Sequence, residues 1–571
     1  MNQLLKMKKM KKIKYYMLFV FLLLHFACSE DFLNMLPLSS EAVEGYFYSD
    51  ENAISAINGC YDILIQNEGN SPDMVWMAHH YEWMMGDVAS GNVRKGSKPS
   101  DMPELLAIEK WEADPSSKIS AGLWIKGFAG IQRCNFVLNN LPKSENVSPG
   151  LKNRILGEAS LLRGHFYFFL LRHFGGVPIA TENIQPSEYG KKQRDSFHEV
   201  CLRIEEDLLE AIRLLPNKST YASKDKGRVT NGTARSLLSR FYMYQIGTDN
   251  KNTTTDWNDV YQQTSAVISS GEYQLLDNYA KVFTSDYENS SESIFEYQGL
   301  EGVADAQPEK TGSTITLLMG NRKSGTSYSG WGFNNPSSEL FNAFGNSDPR
   351  RASTCYGIGY NNFILFGQIQ GYARDQQGSN YLNRKFVIYE MPKTMPKSSN
   401  YNIRYLRYSD VLLMHAEAAF HIGNEAIARE YLNMVRKRAE NSTYCQGWVV
   451  GKPLEYTPFV GASVPDITSS GQDLLNAIWR ERKLELACEG YSSWDLIRTG
   501  QYFDVIDYAK NTYLDPSAPG PGADLSEMRF ENIRANALKH TIEGANGIRV
   551  PLLPLPQFDV DDWNLEQNPG Y

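Results

Sequence analysis

Two short stretches of the sequence combine aromatic rings with amides and carboxylates. The first, VWMAHHYEWMMGD, carries Trp76 and Trp83, and the second, SYSGWGFNNP, carries Tyr328 and Trp331. A sugar ring has an apolar C–H face that stacks on indole or phenol, and its hydroxyl edge binds amides and carboxylates. The two stretches therefore predict a site that binds glycans by stacking and hydrogen bonding.

Trp331 is the strongest candidate for a stacking residue. It lies among Gly, Ser and Asn in a predicted surface loop, where little core is available to an indole. Trp76 and Trp83 are spaced to share one helical face, so packing in a core explains them slightly better than ligand binding does. Polar residues follow each aromatic group, and we expect them to hydrogen-bond the ligand at the rim of the site: Asp87, Asn92, Arg94 and Asn334.

Catalytic motifs of fixed spacing do not occur in a usable context. A metalloprotease helix needs two histidines four residues apart on one face, whereas His415 and His421 lie on different faces. No nucleophile elbow, phosphate-binding loop or dinucleotide-binding glycine pattern is present in a usable context. The cysteines after Cys28 are scattered without a C-x-x-C pair, which predicts buried free thiols. We therefore predict no catalytic residue, no metal site and no cofactor.

Three alternatives to a glycan-binding protein stay open at this point. Glycoside hydrolysis needs two carboxylates about 5 to 9.5 Å apart, and the 66 acidic residues offer many pairs whose separation the sequence does not give. Capture of a peptide in an open groove is the second alternative. The third is a helical scaffold that contacts only protein, with its loop aromatics buried in an interface.

The N-terminal residues have the pattern of an export signal followed by a lipidation site. Six lysines precede a run of about 11 apolar residues at 17–27, and as a helix this run reaches only about half way through a ~30 Å hydrocarbon core. Residues 1–27 are therefore predicted to be a cleaved lipoprotein signal peptide. Acyl chains on Cys28 would hold the protein on a membrane. A plain secretory signal is the alternative.

The charge of the chain argues against nucleic acid as a partner. The formal net charge is −9, and removal of the six lysines of the signal leaves about −9 − 6 = −15. An acidic body of this kind repels phosphate backbones.

A series of segments has the apolar spacing of amphipathic helices. Ser196 and Glu199 form a predicted capping box at the start of one of them. Short Gly, Pro or Asn breaks separate the segments, which indicates helix pairs. The predicted helical segments are 51–66, 120–141, 151–174, 196–215, 230–246, 257–270, 404–422, 424–440 and 471–491.

This pattern predicts a mainly α-helical protein in which tetratricopeptide-like helix pairs form one body. The body covers residues 28–571 and is helical at 40–285 and 400–500. Residues 285–400 are rich in Gly, Ser, Asn and Tyr, which predicts an irregular, loop-rich insert. Because this insert carries Tyr328 and Trp331, it is the predicted ligand-binding region. The proline-rich residues 545–571 are predicted as an extended tail.

Two acidic residues near the end of the last long helical segment are predicted to be structural. In RERKLELACEG, Glu481 and Glu485 lie beside Arg480, Arg482 and Lys483. On a helix this arrangement favours ion pairs around a packing face over catalysis.

Nine sequence blocks, spread over almost the whole mature chain, resemble the blocks of one known protein family. They are CSEDFLNMLP, AISAINGCYDIL, LWIKGFAGIQRCNFVLNNL, ILGEASLLRGHFYFFLLRHFGGVPI, GRVTNGTARSLLSRFYMY, WNDVYQQTSAVISSGEYQLL, YLRYSDVLLMHAEA, IWRERKLELACEGYSSWDLIRTG and the ending NLEQNPGY. In this order they resemble the SusD/RagB family of outer-membrane nutrient-binding lipoproteins.

The resemblance implies a helical body that supports an irregular ligand-binding region and binds its ligand without catalysis. It implies an outer-membrane lipoprotein, anchored through Cys28 and facing the cell exterior. It also implies a partner, a SusC-like TonB-dependent barrel that receives an oligosaccharide or, in some relatives, a peptide. Relatives form a sugar platform from aromatic side chains of an early loop and of the middle region, and Trp83 and Trp331 match these places.

Overall fold

The computed structural model describes residues 45–65, 85–97, 100–182, 192–299, 313–320, 330–357, 364–365, 368–369, 379, 381–386, 399–445, 447–448, 454–512 and 532–571. The predicted signal peptide and Cys28 lie outside these residues, as do three of the predicted aromatic site residues, Trp76, Trp83 and Tyr328.

Helices dominate the described chain, and the predicted mainly α-helical fold is confirmed. The α-helices are α1 (Asp50–Ile65), α2 (Pro103–Lys110), α3 (Lys118–Asn140), α4 (Pro149–Phe174), α5 (Phe197–Leu214), α6 (Asn231–Thr248), α7 (Trp257–Ser269), α8 (Ile315–Met319), α9 (Ser338–Ala343), α10 (Arg350–Thr354), α11 (Tyr408–His421), α12 (Glu425–Glu440), α13 (Gly471–Glu485), α14 (Ser492–Arg498), α15 (Tyr502–Thr512), α16 (Ile533–Lys539) and α17 (Gln557–Trp563). Within the described ranges, none of the helices has the length and apolar content needed to cross a bilayer.

The strands are short and most of them pair in twos. They are β1 (Val93–Gly96), β2 (Ser293–Tyr297), β3 (Phe333–Pro336), β4 (Cys355–Gly357), β5 (Ile364–Leu365), β6 (Gln368–Ile369), β7 (Tyr381–Asn383), β8 (Ile403–Arg407), β9 (Thr443–Cys445), β10 (Gly447–Trp448), β11 (Tyr456–Pro458), β12 (Thr541–Glu543) and β13 (Arg549–Pro551). The antiparallel pairs are β1 with β3, β2 with β8, β4 with β7, β9 with β11 and β12 with β13, while β5 pairs with β6 and with parallel β10.

Local sequence signals set several helix starts. The capping box predicted before α5 is present, because the Ser196 hydroxyl accepts from the Glu199 N–H and the Glu199 carboxylate accepts from the Ser196 N–H. Such a box satisfies two of the backbone N–H groups that a helix start leaves unpaired. Thr230 and Asp256 cap α6 and α7 in the same way.

The long helices pack mostly on their neighbours in the chain. Contacts join α3 to α4, α4 to α5, α6 to α7 and α11 to α12. In addition, α7 packs on α11, and one main apolar core includes residues from Phe47 to Leu565. Helices from both ends of the sequence therefore share a core, with the middle region between them in sequence.

Three elements differ from the sequence prediction, and one of them is the helix predicted over 471–491, because α13 ends at Glu485 and a turn follows it. The segment predicted as a helix from 404 begins as β8 and becomes helical only at Tyr408, because β8 pairs with β2. The tail at 545–571 is not wholly extended coil, since it contains α17, whereas β13 is an extended strand paired with β12. α17 forms between Pro556 and Pro569, in a stretch without proline, and Pro556 precedes the helix and so removes no N–H that the helix needs.

Glu481 and Glu485 form ion pairs as predicted, but their partners are arginines distant in the sequence, whereas the neighbouring Arg482 and Lys483 pair with Asp410 and Glu339. Arg407 contacts Glu485 at 3.0 Å and Glu489 at 2.7 Å, and Arg438 also pairs with Glu485. Burial opposes ionisation of Glu485, but the surrounding arginines outweigh it and hold the pKa of this carboxyl well below its usual range. We call this group the buried ionic cluster, and its members are Glu292, Asp348, Arg350, Lys385, Arg407, Arg438, Glu481, Glu485 and Glu489.

The prediction of buried free thiols is confirmed for the cysteines whose side chains are described. These are Cys60, Cys134, Cys201, Cys355 and Cys488. Burial raises the pKa of the Cys201 thiol well above its usual range, as expected for a small apolar core residue.

We expect the substitution Glu485→Gln to destabilise the protein by about 3–5 kcal/mol, because it leaves buried guanidinium groups without their shared carboxylate. Urea denaturation monitored by circular dichroism measures the loss. Glu210→Gln is the control, since Glu210 forms an exposed pair with Arg213 on α5 and such pairs contribute little. Equal stability losses in the two variants would contradict this prediction.

Candidate functional site

Strands β1 and β3 bring the two predicted site segments together. Val93 lies opposite Pro336, and Gly96 lies opposite Phe333. The Ser97 N–H extends the pairing by donating to the Gly332 carbonyl at 2.8 Å. We call this pair the strand junction. It joins the polar residues that follow Trp83 to the loop that carries Trp331.

Trp331 lies at the edge of the strand junction, where its side chain is half-buried. Its backbone N–H donates to the Leu317 carbonyl at 2.8 Å, and the Gly332 N–H donates to the Gly320 carbonyl at 2.9 Å. These two bonds tie the loop to α8 and the residue after it. The backbone of Trp331 is therefore fixed on one side by a helix and on the other by a strand.

Two glycines allow the backbones at the strand junction to approach closely. Gly96 has a φ of 76°, which side chains disfavour. A Cβ at this position would lie 2.2 Å from the Gly332 carbonyl oxygen. Gly332 itself has a φ of 73°. No other residue type fits position 96 without moving the loop that carries Trp331.

Asp87 is a buried carboxyl that connects the first site segment to the C-terminal helices. Its Oδ2 accepts from the Gly490 N–H at 2.9 Å and lies 3.5 Å from the Asn334 side-chain nitrogen. Burial raises the pKa of Asp87 to about 8, and the Gly490 hydrogen bond and Lys385 offset this only in part. Asp87 is therefore mainly protonated near neutral pH.

Arg94 and its neighbour Lys95 contact a carboxylate that the sequence did not single out. The Arg94 Nε donates to Glu109 Oε1 at 2.9 Å, and the Lys95 N–H donates to Glu109 Oε2 at 3.3 Å. Burial raises the pKa of Glu109, with Arg94 acting against this effect. Glu109 lies on α2, and its position in the sequence gives no signal for this contact.

The four predicted rim residues are all in the interior. Asp87, Asn92, Arg94 and Asn334 each have an exposed fraction of 5% or less. Their observed contacts lie within the protein, where they link β1, β3, α2 and the residues before α14. Among the predicted site residues that the structure describes, Trp331 alone is partly exposed. The described ranges contain no group of three or more His, Cys, Asp or Glu that would suit a metal ion.

Two family models match the chain. The model of the SusD family matches residues 291–571, and a model described as starch-binding and associating with the outer membrane matches residues 77–243. The chain belongs to the SusD/RagB family. The resemblance of the sequence blocks to this family is thereby confirmed.

Relatives of this SusD/RagB family member match over most of their length. A SusD-like protein of Bacteroides ovatus is 24% identical over 514 residues, which cover 86% of this chain and 83% of the relative. A SusD-like protein of Formosa agariphila is 23% identical over 547 residues, which cover 89% of this chain and 93% of the relative.

Solved structures show that the fold is that of SusD-like proteins. A SusD homologue from Bacteroides thetaiotaomicron has a TM-score of 0.73 and 21% identity, and the match covers 95% of this chain and 100% of that one. Surface glycan-binding protein A from the same species, in complex with laminarihexaose, has a TM-score of 0.67 and 23% identity. This match covers 92% of this chain and 100% of that one.

We expect the stability difference between the wild type and the variant Asp87→Asn to depend on pH. The folded protein keeps the Asp87 proton up to about pH 8, whereas the unfolded chain loses it above about pH 4. Relative to the variant, the wild type therefore loses stability as the pH rises between these values, by up to about 1.4 kcal/mol per pH unit. Urea denaturation of both proteins between about pH 5 and 8 measures this slope.

Glu199→Gln is the control for this experiment. Hydrogen bonds from Ser196 lower the pKa of Glu199, so the contribution of this carboxylate to stability changes with pH only under acidic conditions. Glutamine at this position keeps the capping box. A constant difference between the wild type and Asp87→Asn over the same range would contradict the assigned protonation of Asp87.

Proposed function

We propose that the protein is a cell-surface lipoprotein that binds an oligosaccharide or polysaccharide and delivers it to a SusC-like TonB-dependent transporter. The observation that carries the proposal is the strand junction, because it joins the residues that follow the first aromatic stretch to the loop of Trp331 and fixes the backbone of this half-buried tryptophan. Membership of the SusD/RagB family supports the proposal.

In this proposal the protein works by equilibrium binding without chemistry. Trp331 stacks on the apolar face of a sugar ring, and Tyr328, three residues away in the same loop, contributes a second ring. Trp83 and Trp76 come from the segment that leads into β1. The rings provide contact area with few rotatable bonds, so ordering them costs little entropy on binding.

The buried polar residues act in this proposal as positioning residues. Asp87 and Asn334 join the two aromatic segments, and Arg94 fixes β1 on Glu109. Hydrogen bonds inside a protein hold a fixed geometry, because a buried polar group without its partner is costly. The stacking rings are therefore presented from a base that changes little when a ligand binds.

The fold also suggests which ligand to test first. Surface glycan-binding protein A, which has this fold, is in complex with laminarihexaose, and a second neighbour is described as a laminarin-binding SusD-like protein with a TM-score of 0.67. Laminarin is therefore the first polysaccharide in a panel that also includes plant, host and other microbial glycans.

We expect the substitution Trp331→Ala to weaken binding of the preferred polysaccharide by about thirtyfold or more, since a stacking anchor contributes about 2 kcal/mol or more. Isothermal titration of the whole chain in detergent against the panel measures the change.

The matched control is Trp257→Ala, because Trp257 is a half-buried tryptophan on the helical scaffold that stacks on His421. Its loss removes an indole of similar burial away from the strand junction. An equal loss of affinity in both variants would show that Trp331 is not a stacking residue. If only peptides release heat on titration, the ligand is a peptide and the proposed glycan ligand is wrong.

We expect the substitution Cys28→Ala to release the protein from the outer-membrane fraction into the soluble fraction, because the acyl chains that hold it there are lost. Cell fractionation followed by immunoblotting measures the distribution. Cys201→Ala, which changes a buried thiol on α5, keeps the protein in the membrane fraction. Retention of the Cys28→Ala variant in that fraction would contradict the lipid anchor.

A further inference from the structure

A cavity of about 330 Å³ lies among the C-terminal helices, and Trp331 is not among the residues that line it. Its walls come from α13, α14 and α15, with Ala343 at the end of α9 and Asn92 just before β1. The volume is within the range of small-molecule sites. The apolar part of the wall includes Trp479, Leu486 and Val505. The cavity therefore offers a ring-sized apolar surface next to polar groups.

Two of the cationic side chains that line the cavity are already neutralised. Arg482 pairs with Asp410 at 2.7 Å and with Asp495 at 2.9 Å. Arg498 pairs with Glu417 and with Asp495, both at 2.7 Å. Each of these arginines has two carboxylate partners, so neither one favours an anion in the cavity.

Arg480 is different from the other cations of the wall. Lys483 pairs with Glu339 at 3.0 Å, whereas Arg480 has no carboxylate partner within the described ranges. The Arg480 Nη2 donates to the Ala343 carbonyl at 3.0 Å, and the side chain is otherwise exposed. The guanidinium is thus held at the cavity with its charge unbalanced, and its remaining N–H donors suit a carboxylate.

Two buried polar atoms on the wall have no hydrogen-bond partner among the described residues. They are the Tyr491 hydroxyl and the Asn92 side-chain oxygen. Tyr491 is 6% exposed and Asn92 is 1% exposed, and Arg240 lies 4.1 Å from the centre of the Tyr491 ring. Buried polar groups are usually paired, so both atoms have hydrogen-bonding capacity that the described residues leave unused, on two residues that line the cavity. The Asn92 oxygen accepts hydrogen bonds, and the tyrosine hydroxyl both donates and accepts.

We propose that this cavity binds a sugar acid, that is, a pyranose ring that carries a carboxylate. The carboxylate pairs with Arg480, ring hydroxyls bond to the Asn92 oxygen and the Tyr491 hydroxyl, and the apolar face of the ring lies on the Trp479 side of the wall. The inference rests on the proposed glycan-binding function only in its ligand class, and it uses a different site. It extends the ligands of the protein from neutral to acidic sugars.

Saturation-transfer NMR and isothermal titration of the whole chain in detergent test the proposal, with sodium galacturonate and its trimer, trigalacturonate, as the acidic probes and galactose as the neutral match of galacturonate. We expect galacturonate to bind with an affinity about tenfold or more above that of galactose. We expect Arg480→Gln to weaken galacturonate binding by about tenfold, the effect of one charged hydrogen bond. Arg213→Gln, which changes an exposed arginine on α5, leaves binding unchanged.

Tyr491→Phe is the sharper variant, because it removes only the unpartnered hydroxyl. We expect it to weaken galacturonate binding by about fivefold and to leave the melting temperature unchanged. Tyr242→Phe is its control, since the Tyr242 hydroxyl donates to Glu205 at 2.7 Å, so that this variant lowers the melting temperature and keeps the affinity. A fall in melting temperature in Tyr491→Phe with unchanged affinity would overturn the role of the hydroxyl and with it the proposal.

The remaining outcomes separate this proposal from the proposed function. The acidic-sugar site is overturned if galactose and galacturonate bind equally well, or if neither galacturonate nor trigalacturonate shows saturable binding. This holds even where polysaccharide binding depends on Trp331. Binding of either acidic form that depends on Arg480 supports it, even where the polysaccharide panel is silent. Loss of galacturonate binding in Trp331→Ala would place the sugar at the strand junction and overturn the cavity.

Discussion

Buried guanidinium and carboxylate groups around Arg407 and Glu485 hold together segments that are far apart in the sequence. Arg407 ends β8, Glu485 ends α13, and Arg438 lies on α12, while Glu292 precedes β2. Removing such charges from water is costly, and the cost is offset only when every partner is in place. The middle region and the C-terminal helices therefore reach their positions together, and neither has a satisfied interior without the other.

This cluster also sets the position of the candidate site. Glu489 pairs with Arg407 and Lys385, and the next residue, Gly490, donates its N–H to Asp87. The backbones meet without side chains between them, because a Cβ on Gly86 would lie 1.8 Å from the Gly490 carbonyl oxygen. The first site segment is thus fixed directly on the residues that the ionic cluster holds.

The features that the sequence predicts well are those whose causes are local. The Ser196 capping box and the spacing of apolar residues in α5 need only neighbours in the chain, and both are confirmed. β8 is not predicted because its partner strand β2 lies about a hundred residues away in the sequence. α17 is not predicted because the tail as a whole is rich in proline, although the residues of α17 themselves include none. Long-range pairing decides a strand more than its own residues do.

The same distinction applies to the candidate site. Residue type and closeness to tryptophan predicted that Asp87 and Asn334 face a ligand, but the structure buries both, with Asp87 bonded to Gly490. That contact spans the chain from its early part to its C-terminal helices, and no pattern near Asp87 indicates it. The residues that follow the first aromatic stretch do pair with the end of the second, whereas the contacts of the polar residues depend on backbone that is distant in the sequence.

A binding surface made of a few aromatic rings depends on how firmly those rings are held. Each ring that must be ordered on binding costs free energy that the contact with the ligand has to offset. Here the backbone of Trp331 is bonded to α8, and the following residues pair with β1, which is itself fixed on Glu109. The backbone that carries the Trp331 ring is therefore ordered when the protein folds, and in the proposed function this part of the ordering cost is met before the ligand binds.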